Sequence, residues 1–161
     1  MALLIDPEKT KNEDHLLDLI KKAEFALIDF FFIGGSTVTR KETEQAVAFV
    51  KKNSAIPVVL FPGSGNQLSE QADALLFLNL ISGRNPDFLI EHQVKAATIL
   101  KKSDLEIIST GYILIESGNQ TAVTSVSKTI PLPRHNSQIA VDTALAGEFL
   151  GSKLIYLEAG S

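Results

Sequence analysis

The residues with the clearest chemical potential close the sequence, where Glu158 is followed by Ala159, Gly160 and Ser161. An apolar run, Leu154 to Leu157, precedes them, so the pattern is a strand that ends in a carboxylate and a turn of small residues. In parallel α/β folds this position suits a general base and a backbone site for phosphate. Desolvation at the end of a buried strand would favour proton acceptance by Glu158. A salt bridge or a helix cap is the alternative explanation for this carboxylate.

Three further polar clusters follow predicted strands: Asp6 to Lys9, Gly34 to Ser36, and Phe61 to Gly63. The carboxyl ends of strands form the working face of parallel α/β folds, so this shared position predicts a site. Asp6 and Ser36 offer the hard oxygen ligands that Mg²⁺ takes from proteins in small numbers. Capping of the first helix is the alternative role for Asp6, although that helix is predicted to begin several residues later. Turn geometry alone would explain the glycines.

The elements that must position these residues alternate along the chain, as expected of βαβ units around a mainly parallel sheet. Apolar runs predict strands over residues 3–5, 27–33, 57–61, 74–81 and 154–157. Helices are predicted from about residue 12, over 39–52, from 86, and over 138–150. Six β/α units are too few to close a barrel. The pattern alone therefore does not decide between a barrel and an open sheet. Because no helix follows the last strand, the sequence predicts a domain that is cut short.

Local patterns predict several helix boundaries and faces. Thr39 followed by Glu42 is a capping box for the second helix. Asn85-Pro86-Asp87 predicts an N-cap, a proline at the first helical position and an early acid. The predicted buried stripes are Leu16, Leu17, Ile20 and Ala23 in the first helix, and Ile90, Val94 and Ala97 in the helix after Pro86.

Two stretches depart from the regular alternation. Only 12 residues separate Phe61 from Ala74, and the first are Pro, Gly, Ser and Asn, which predicts a third helix that is short or replaced. Such a gap would open a groove for a long apolar ligand near Phe30-Phe31-Phe32, although core packing is the default role of these phenylalanines. Gly118-Asn119, between apolar runs at 113–116 and 121–126, predicts a hairpin appended to the fifth strand.

Composition narrows the class of protein. The net charge of −4 argues against a surface for nucleic acid or anionic membranes. The absence of cysteine excludes thiolate chemistry and fits a cytoplasmic protein. The short apolar start predicts no signal peptide, and the longest apolar run, Ala74 to Leu78, is far below the roughly 20 residues of a transmembrane helix. We therefore expect a soluble protein with one domain over residues 1–161.

Six motifs run through the whole chain in order: Leu4-Ile5-Asp6-Pro7-Glu8-Lys9, Ile33-Gly34-Gly35-Ser36, Phe61-Pro62-Gly63, Ser82-Gly83-Arg84-Asn85-Pro86, Thr110-Gly111-Tyr112-Ile113-Leu114 and Tyr156-Leu157-Glu158-Ala159-Gly160-Ser161. Together they resemble those of geranylgeranylglyceryl phosphate synthases, in the larger branch with bacterial and archaeal members. The resemblance implies an α/β fold, a TIM (β/α)8-type barrel that ends here after about six strands, with its third helix replaced. Residues 1–161 would then be a single incomplete barrel domain.

The resemblance also implies a Mg²⁺-dependent prenyltransferase of ether phospholipid synthesis. It would join sn-glycerol 1-phosphate to geranylgeranyl diphosphate and release diphosphate. Asp6 and Ser36 match the metal positions, and Glu158 matches the residue that deprotonates the attacking hydroxyl. The glycerol phosphate pocket is matched in part by Tyr156, Leu157, Glu158, Ala159, Gly160 and Ser161. Many relatives carry a lysine where this chain has Leu4, so any contact of that lysine is missing.

The resemblance further implies a cytoplasmic enzyme that is a homo-oligomer when full length, with peripheral membrane contact and no transmembrane segment. Two alternatives stay open. One is another phosphate-binding TIM-barrel isomerase or lyase, in which Glu158 abstracts a carbon-bound proton. The other is an inactive fragment with an open strand edge. The prenyltransferase prediction requires that Asp6, Ser36 and Glu158 lie over the same rim of the sheet.

Overall fold

A computed structural model of the chain describes residues 1–119 and 121–160. Ser161, which the sequence places in the glycerol phosphate pocket, lies outside the described residues. The elements are β1 (Ala2–Ile5), α1 (Glu13–Phe25), β2 (Phe30–Ile33), α2 (Arg40–Asn53), β3 (Val58–Leu60), β4 (Ala74–Leu80), α3 (His92–Lys101), β5 (Glu106–Leu114), α4 (Ala122–Ser127), α5 (Ser137–Phe149) and β6 (Leu154–Glu158).

The strands are hydrogen-bonded in chain order, from β1 to β6, within one sheet. The pairs β1–β2, β2–β3, β3–β4 and β5–β6 are parallel. A doubly wound open sheet reverses its strand order at a switch point, whereas a TIM barrel adds each strand beside the last one. The sequential order therefore decides between the two topologies that the sequence left open, and the prediction of a TIM-barrel type is confirmed.

The described chain forms two compact units. The first unit comprises Met1–Leu76 and Ile99–Ile107, and the second comprises Phe77–Thr98 and Ile108–Ser161. The chain changes from one unit to the other within β4, within α3 and within β5. Each unit carries three of the six sequence motifs. The prediction of a single domain over residues 1–161 stays a prediction.

The core of the first unit lies between β1–β3 and the helices α1 and α2. Ile5, Ile33 and Leu60 are aligned across the three strands, and all three are fully buried. The buried helical positions are Leu16, Ile20 and Ala23 in α1, and Thr43, Ala46, Val47 and Val50 in α2. Each large apolar side chain contributes about 1.5–3 kcal/mol when fully buried, so this layer fixes the strand ends that precede the site. Three of the four residues predicted for the α1 stripe are therefore confirmed as buried.

Caps set the ends of these two helices. The Asn12 side chain caps α1 by accepting a hydrogen bond from the His15 amide at 3.0 Å. Asp6 is therefore not the cap of α1, and that alternative role is excluded. The predicted capping box is confirmed, because Thr39 accepts from the Glu42 amide and the Glu42 carboxylate accepts from the Thr39 amide.

The second strand is shorter than predicted and begins at Phe30 instead of Leu27. Leu27 has a left-handed backbone (φ 54°) and an 85% exposed side chain, and its amide donates to the Glu24 carbonyl. The Ile28 amide donates to the Ala23 carbonyl, which completes a Schellman-type end of α1. The apolar run from residue 27 was therefore wrongly assigned to the strand, since its first residues close the preceding helix.

No helix lies between β3 and β4, and all residues of this crossover are described. The segment is held by turns, in which the Gln67 amide donates to the Ser64 carbonyl and the Ala72 amide to the Ser69 carbonyl. Gln67, Leu68 and Ser69 are nevertheless buried. The prediction that the third helix is replaced is confirmed, and the replacing segment packs into the first unit.

In the second unit, α5 packs closely on β5 and β6. A Cβ on Gly111 of β5 would lie 2.8 Å from the Ile81 and Ile155 side chains, and one on Gly147 of α5 would lie 2.7 Å from Ile81. The two glycines therefore allow the helix to approach the sheet. This packing fixes β6, which carries Glu158 at its carboxyl end.

The predicted hairpin after β5 is wrong. Residues 122–127 form helix α4, whose N-cap Thr121 makes a reciprocal capping box with Thr124. Gly118 does form a turn (φ 86°), but the chain then enters a helix instead of a return strand. Ile115 pairs instead with Leu132 in an isolated parallel bridge. The local capping interaction therefore outweighed the β-propensity of the run at 121–126.

The predicted buried stripe of α3 is also wrong. Ile90 and Val94 are 58% and 59% exposed, whereas the buried side chains are those of Gln93, Ala96 and Leu100. A π-helical turn over Asp87–Glu91, which contains Ile90, interrupts the regular α-helical period on which the predicted stripe depended.

The predicted start of this helical segment is confirmed. Pro86 already has helical backbone angles (φ −61°, ψ −27°), and the Asn85 carbonyl accepts a hydrogen bond from the Leu89 amide at 3.2 Å. The Asn85 side-chain oxygen accepts from the Asp87 amide at 3.0 Å, as expected of an N-cap residue.

Candidate functional site

Asp6 lies in a tight turn directly after β1, in the first unit. Its carbonyl accepts hydrogen bonds from the amides of Lys9 (3.0 Å) and Thr10 (3.1 Å). One carboxylate oxygen accepts from the Glu8 amide at 3.0 Å, and the other lies 3.5 Å from the Lys9 ammonium. The carboxylate is 23% exposed, so it is held by its own loop yet open to solvent. The negatively charged carboxylate of Asp6 is therefore able to bind a cation.

The loop after β2 lies against the Asp6 loop, and the loop after β3 lies against the loop after β2. A Cβ on Gly35 would be 3.0 Å from an Asp6 carboxylate oxygen, and a Cβ on Gly63 would be 2.8 Å from the Ser36 Cα. Only glycine permits these approaches, so the glycines set the spacing of the loops. The structure thus places the Gly35 turn beside the Asp6 carboxylate, and the metal role of Asp6 and Ser36 stays a prediction.

The oxygen donors at this place suit a magnesium ion. Asp6 offers a carboxylate and the half-buried Ser36 a hydroxyl, and both are hard oxygen ligands. Among the described residues, no group of three or more His, Cys, Asp or Glu side chains could hold a metal ion. Mg²⁺ needs only one or two protein ligands, because water and substrate phosphates supply the others. The donor set therefore fits Mg²⁺ better than a metal that needs a full protein cage.

Gln67 is a site-related residue that the sequence did not reveal. Its side-chain oxygen accepts from the Gly63 amide at 2.7 Å. Its side-chain nitrogen donates to the carbonyls of Gly35 (3.0 Å) and Val38 (2.7 Å). An amide in a polar loop looks like a surface residue in the sequence, so no pattern marked it.

Glu158, the predicted general base, ends β6 in the second unit and lies beside two tyrosines. Tyr112 and Tyr156 are register partners on β5 and β6, with ring centroids 5.4 Å apart. Burial raises the pKa of Tyr156, and the nearby Glu158 carboxylate, which is hydrogen-bonded to its hydroxyl, raises that pKa further. Burial and the charge of Glu158 also raise the pKa of Tyr112. Both phenols therefore stay protonated at neutral pH, and that of Tyr156 orients the carboxylate.

Backbone bonds fix the turn that follows Glu158. The Ile115 amide donates to the Glu158 carbonyl at 2.7 Å, and the Gly160 amide donates to a Glu158 carboxylate oxygen at 3.1 Å. Gly160 has φ 92°, and a Cβ there would lie 2.5 Å from the Ser117 Cβ, so this position requires glycine on two counts. The Glu158 carboxylate is therefore held from both sides, by a tyrosine hydroxyl and a turn amide.

The expectation that β6 is a buried strand is wrong. Leu154 is 39% and Leu157 is 59% exposed, and Glu158 itself is half-buried. Among the described residues, β6 is hydrogen-bonded to β5 alone. The orientation of Glu158 therefore depends on its hydrogen bonds more than on enclosure.

The Ser-Gly-Arg-Asn-Pro motif after β4 has a structural role in the second unit. The Ser82 hydroxyl accepts from the Leu114 amide at 2.9 Å, at the end of β5. The Asn85 side chain donates to the Ser127 carbonyl at 2.7 Å and so ties α4 to this loop. Arg84 is exposed and donates to the Gly83 carbonyl. The motif thereby fixes the carboxyl end of β5 next to the β6 loop.

Two wider expectations concern membrane-spanning helices and a shared rim for the site residues. Within residues 1–119 and 121–160, every helix is too short or too polar to cross a membrane. The expectation that Asp6, Ser36 and Glu158 lie over the same rim stays a prediction.

Strands added in chain order, with carboxylates and glycine turns at their carboxyl ends, define an α/β protein of the TIM-barrel type. The chain belongs to the PcrB family, whose model matches residues 1–161. It is 58% identical over 163 residues to the geranylgeranylglyceryl phosphate synthase of Flavobacterium johnsoniae, covering 100% of this chain and 66% of that protein. It is 42% identical over 160 residues to the synthase of the same name from Pyrococcus furiosus, covering 99% and 62%.

Solved structures agree with this assignment. The chain matches the geranylgeranylglyceryl phosphate synthase of Thermoplasma acidophilum, a complex with its substrate sn-glycerol-1-phosphate, with a TM-score of 0.91 and 33% identity. It matches the wild-type enzyme of Thermoplasma volcanium with a TM-score of 0.90 and 37% identity. In both cases 99% of this chain and 64% of the other are covered. The chain thus spans about two thirds of the length of these relatives, and the resemblance stated from the motifs is confirmed.

Proposed function

We propose that this protein is a prenyltransferase that joins sn-glycerol 1-phosphate to geranylgeranyl diphosphate in ether phospholipid synthesis. The observation that carries the proposal is the match at TM-score 0.91 to a synthase whose structure holds sn-glycerol-1-phosphate. The oxygen of the glycerol hydroxyl forms a bond to the first carbon of the prenyl chain. The bond from that carbon to the diphosphate breaks, and diphosphate leaves with the electron pair.

Glu158 is the proposed base of this reaction. An alcohol is a weak acid, so the carboxylate needs to accept the proton only as the new carbon–oxygen bond forms. The Tyr156 hydroxyl and the Gly160 amide both donate to this carboxylate and fix its orientation. A fixed base lowers the entropic cost of reaching the reactive geometry.

The turn after Glu158 belongs to the proposed pocket for glycerol phosphate. The pocket residues are Tyr156, Leu157, Glu158, Ala159, Gly160 and Ser161. The net charge of −4 argues against a broad basic surface for the phosphate, so backbone amides of glycine turns are the proposed ligands.

Asp6 and Ser36 are the proposed magnesium ligands in the first unit. When bound there, Mg²⁺ would neutralise the diphosphate oxygens and make diphosphate a better leaving group. Gly35 lets its turn approach Asp6, and Gly63 lets its turn approach Ser36, since a Cβ at either glycine would touch the neighbouring loop. Lys9, 3.5 Å from Asp6, supplies a counter-charge that the ion would displace.

The prenyl chain is proposed to bind near the crossover that lacks a helix. Phe32 and Phe61 stack there with ring centroids 6.1 Å apart and an angle of 10°, and both are half-buried. An apolar chain gains about 0.8 kcal/mol for each CH₂ removed from water, so a few isoprene units on this surface would supply the affinity.

The central test is the formation of the ether product. Purified protein would be incubated with Mg²⁺, labelled sn-glycerol 1-phosphate and geranylgeranyl diphosphate, and label would be followed into an organic extract. We expect product from this enantiomer and little from sn-glycerol 3-phosphate. Glu158→Gln should abolish turnover, whereas Glu148→Gln, an exposed change on α5, should not. Failure of the wild-type protein to form the ether with either enantiomer refutes the proposal.

We also propose that the protein acts in the cytoplasm as a homo-oligomer when full length, with peripheral membrane contact. These assignments rest on the family resemblance, since the substrates are a soluble phosphate and a lipid diphosphate. Light scattering of the purified protein tests the oligomer, and flotation with vesicles tests the membrane contact.

A further inference from the structure

We propose that Gln67 is a positioning residue for the magnesium site, because its buried amide sets the distance between the Gly35-Ser36 turn and the Gly63 turn. The inference rests on the proposed function, which places magnesium ligands at Asp6 and Ser36. It concerns a residue that contacts neither ligand side chain and acts through the backbone of the two turns.

The Gln67 side chain joins three backbone groups from two loops. Gln67 is only 2% exposed. The oxygen accepts from the Gly63 amide, and the nitrogen donates to the carbonyls of Gly35 and Val38, at distances between 2.7 and 3.0 Å. Both donors of the amide and one acceptor position are therefore in use. No smaller polar side chain could span these groups from the same position.

The groups held by Gln67 are in direct contact with the candidate ligands. A Cβ on Gly63 would come within 2.6 Å of the Gly35 carbonyl and 2.8 Å of the Ser36 Cα. A Cβ on Gly35 would come within 3.0 Å of the Asp6 carboxylate. A small shift of the Gly63 turn must therefore move Ser36 relative to Asp6, and metal geometry tolerates little such movement.

The missing third helix explains why a side chain holds the loop after β3. In an ordinary crossover, a helix packed on the sheet would hold the loop after β3. Residues 61–73 contain no helix, so the loop depends on the bonds made within the segment that replaces it. Gln67 ties that segment to the loop before α2, through the carbonyl of Val38.

The chemistry of the amide is essential to the proposal. Methionine has a similar length but would leave the Gly63 amide and two carbonyls without their partner, which buried groups tolerate poorly. Glutamate would keep the bond from the Gly63 amide but would place a carboxylate oxygen against two carbonyl oxygens. When protonated, the same side chain could donate to one of them, so Gln67→Glu should depend on pH.

The test measures metal binding directly, with Mn²⁺ followed by electron paramagnetic resonance in place of Mg²⁺. Wild type, Gln67→Met and Gln67→Glu would be compared with Gln71→Met and Gln71→Glu. Gln71 lies in the same segment and is exposed, so its variants control for the chemical change alone. We expect Gln67→Met to weaken Mn²⁺ binding by about 10- to 100-fold, the usual effect of losing a supporting hydrogen bond at a metal site, and the Gln71 variants to match wild type.

The pH dependence of Gln67→Glu separates positioning from loss of fold. Its Mn²⁺ affinity, divided by that of wild type at the same pH, should rise as pH falls from about 8 to about 5.5, because burial favours the neutral carboxyl. Gln71→Glu should show a constant ratio. If Gln67→Met does not fold, this ratio decides the matter.

The outcomes distinguish the inference from the function on which it rests. Wild type that binds Mn²⁺, with Gln67→Met and Gln67→Glu equal to it at every pH, overturns the role of Gln67 and leaves the metal site intact. Wild type that binds no Mn²⁺ refutes the magnesium site itself, and the inference falls with it.

Discussion

Tyr156 and Glu158 lie two residues apart on the same face of β6, and the tyrosine hydroxyl is hydrogen-bonded to the carboxylate. The Gly160 amide donates to one oxygen of the same carboxylate. The orientation of the Glu158 carboxylate is therefore set by the Tyr156 side chain before it and by the Gly160 turn after it.

Tyr156→Phe should lower kcat for ether formation by about 10- to 100-fold, since a hydrogen bond to a charged group contributes about 1.5–3 kcal/mol. The ring and its packing on Tyr112 would be kept, so the KM for prenyl diphosphate should change little. Steady-state kinetics would measure both. Lys153→Ala, an exposed change just before β6, is the control. An unchanged kcat in Tyr156→Phe would show that this hydrogen bond has no role in the reaction.

Asp6→Asn should weaken Mg²⁺ binding by at least about 100-fold. Mutation of a residue that only supports a metal ligand usually lowers metal affinity by about 10- to 100-fold, and loss of a ligand should lower it more. The amide keeps the shape of the side chain, and its oxygen can still accept from the Glu8 amide. Calorimetric titration with Mg²⁺ would measure the affinity, and removal of metal with EDTA should abolish wild-type turnover. Asp18→Asn changes an exposed acid on α1 and should leave the affinity unchanged. Equal Mg²⁺ affinities of Asp6→Asn and wild type would exclude Asp6 as a ligand.

Gly35→Ala should destabilise the protein by about 1–3 kcal/mol and also weaken Mg²⁺ binding, because the added methyl group overfills the space. It would lie 2.8 Å from the Val38 side chain and 3.0 Å from the Asp6 carboxylate. Gly151→Ala is a matched control, since its methyl group would meet no atom within 4 Å and only its φ of 97° is unfavourable. Urea unfolding and Mg²⁺ titration would separate the two effects. Loss of stability with full Mg²⁺ affinity in Gly35→Ala would disprove the close link between this turn and the metal site.

Tyr112 should make the protein less stable in alkali. Burial, with the charge of Glu158, raises the pKa of Tyr112 above its ordinary value of 10.0, so the unfolded chain loses the phenolic proton first. The free energy of unfolding is therefore unaffected below about pH 10 and falls above it, by about 1.4 kcal/mol for each pH unit until the folded protein also ionises. Urea titrations at about pH 9 and about pH 11 would measure this fall. Tyr112→Phe should show a smaller fall, and equal slopes would contradict the prediction.

Local patterns predicted the structure well where neighbouring residues decide it. Thr39 and Glu42 are three residues apart and cap α2 as expected, because a capping box involves only the first turn. The hairpin was wrongly predicted because the glycine at position 118 suggested a return strand. The neighbouring residues Thr121 and Thr124 instead form a capping box that starts α4. Leu27 was misassigned to β2 because an apolar residue in a left-handed helix end has no distinct sequence pattern.

The sequence by itself determined the alternation of strands and helices, the missing third helix, and the loops that carry Asp6, Ser36 and Glu158. These depend on residue type and spacing along the chain, which the sequence contains. Tertiary structure alone decided the strand order and the buried contacts of Gln67. Each depends on contacts between segments distant in the chain, such as the bond from Gln67 to Gly35. No local preference encodes such a contact, because its free energy arises only when both segments are already packed.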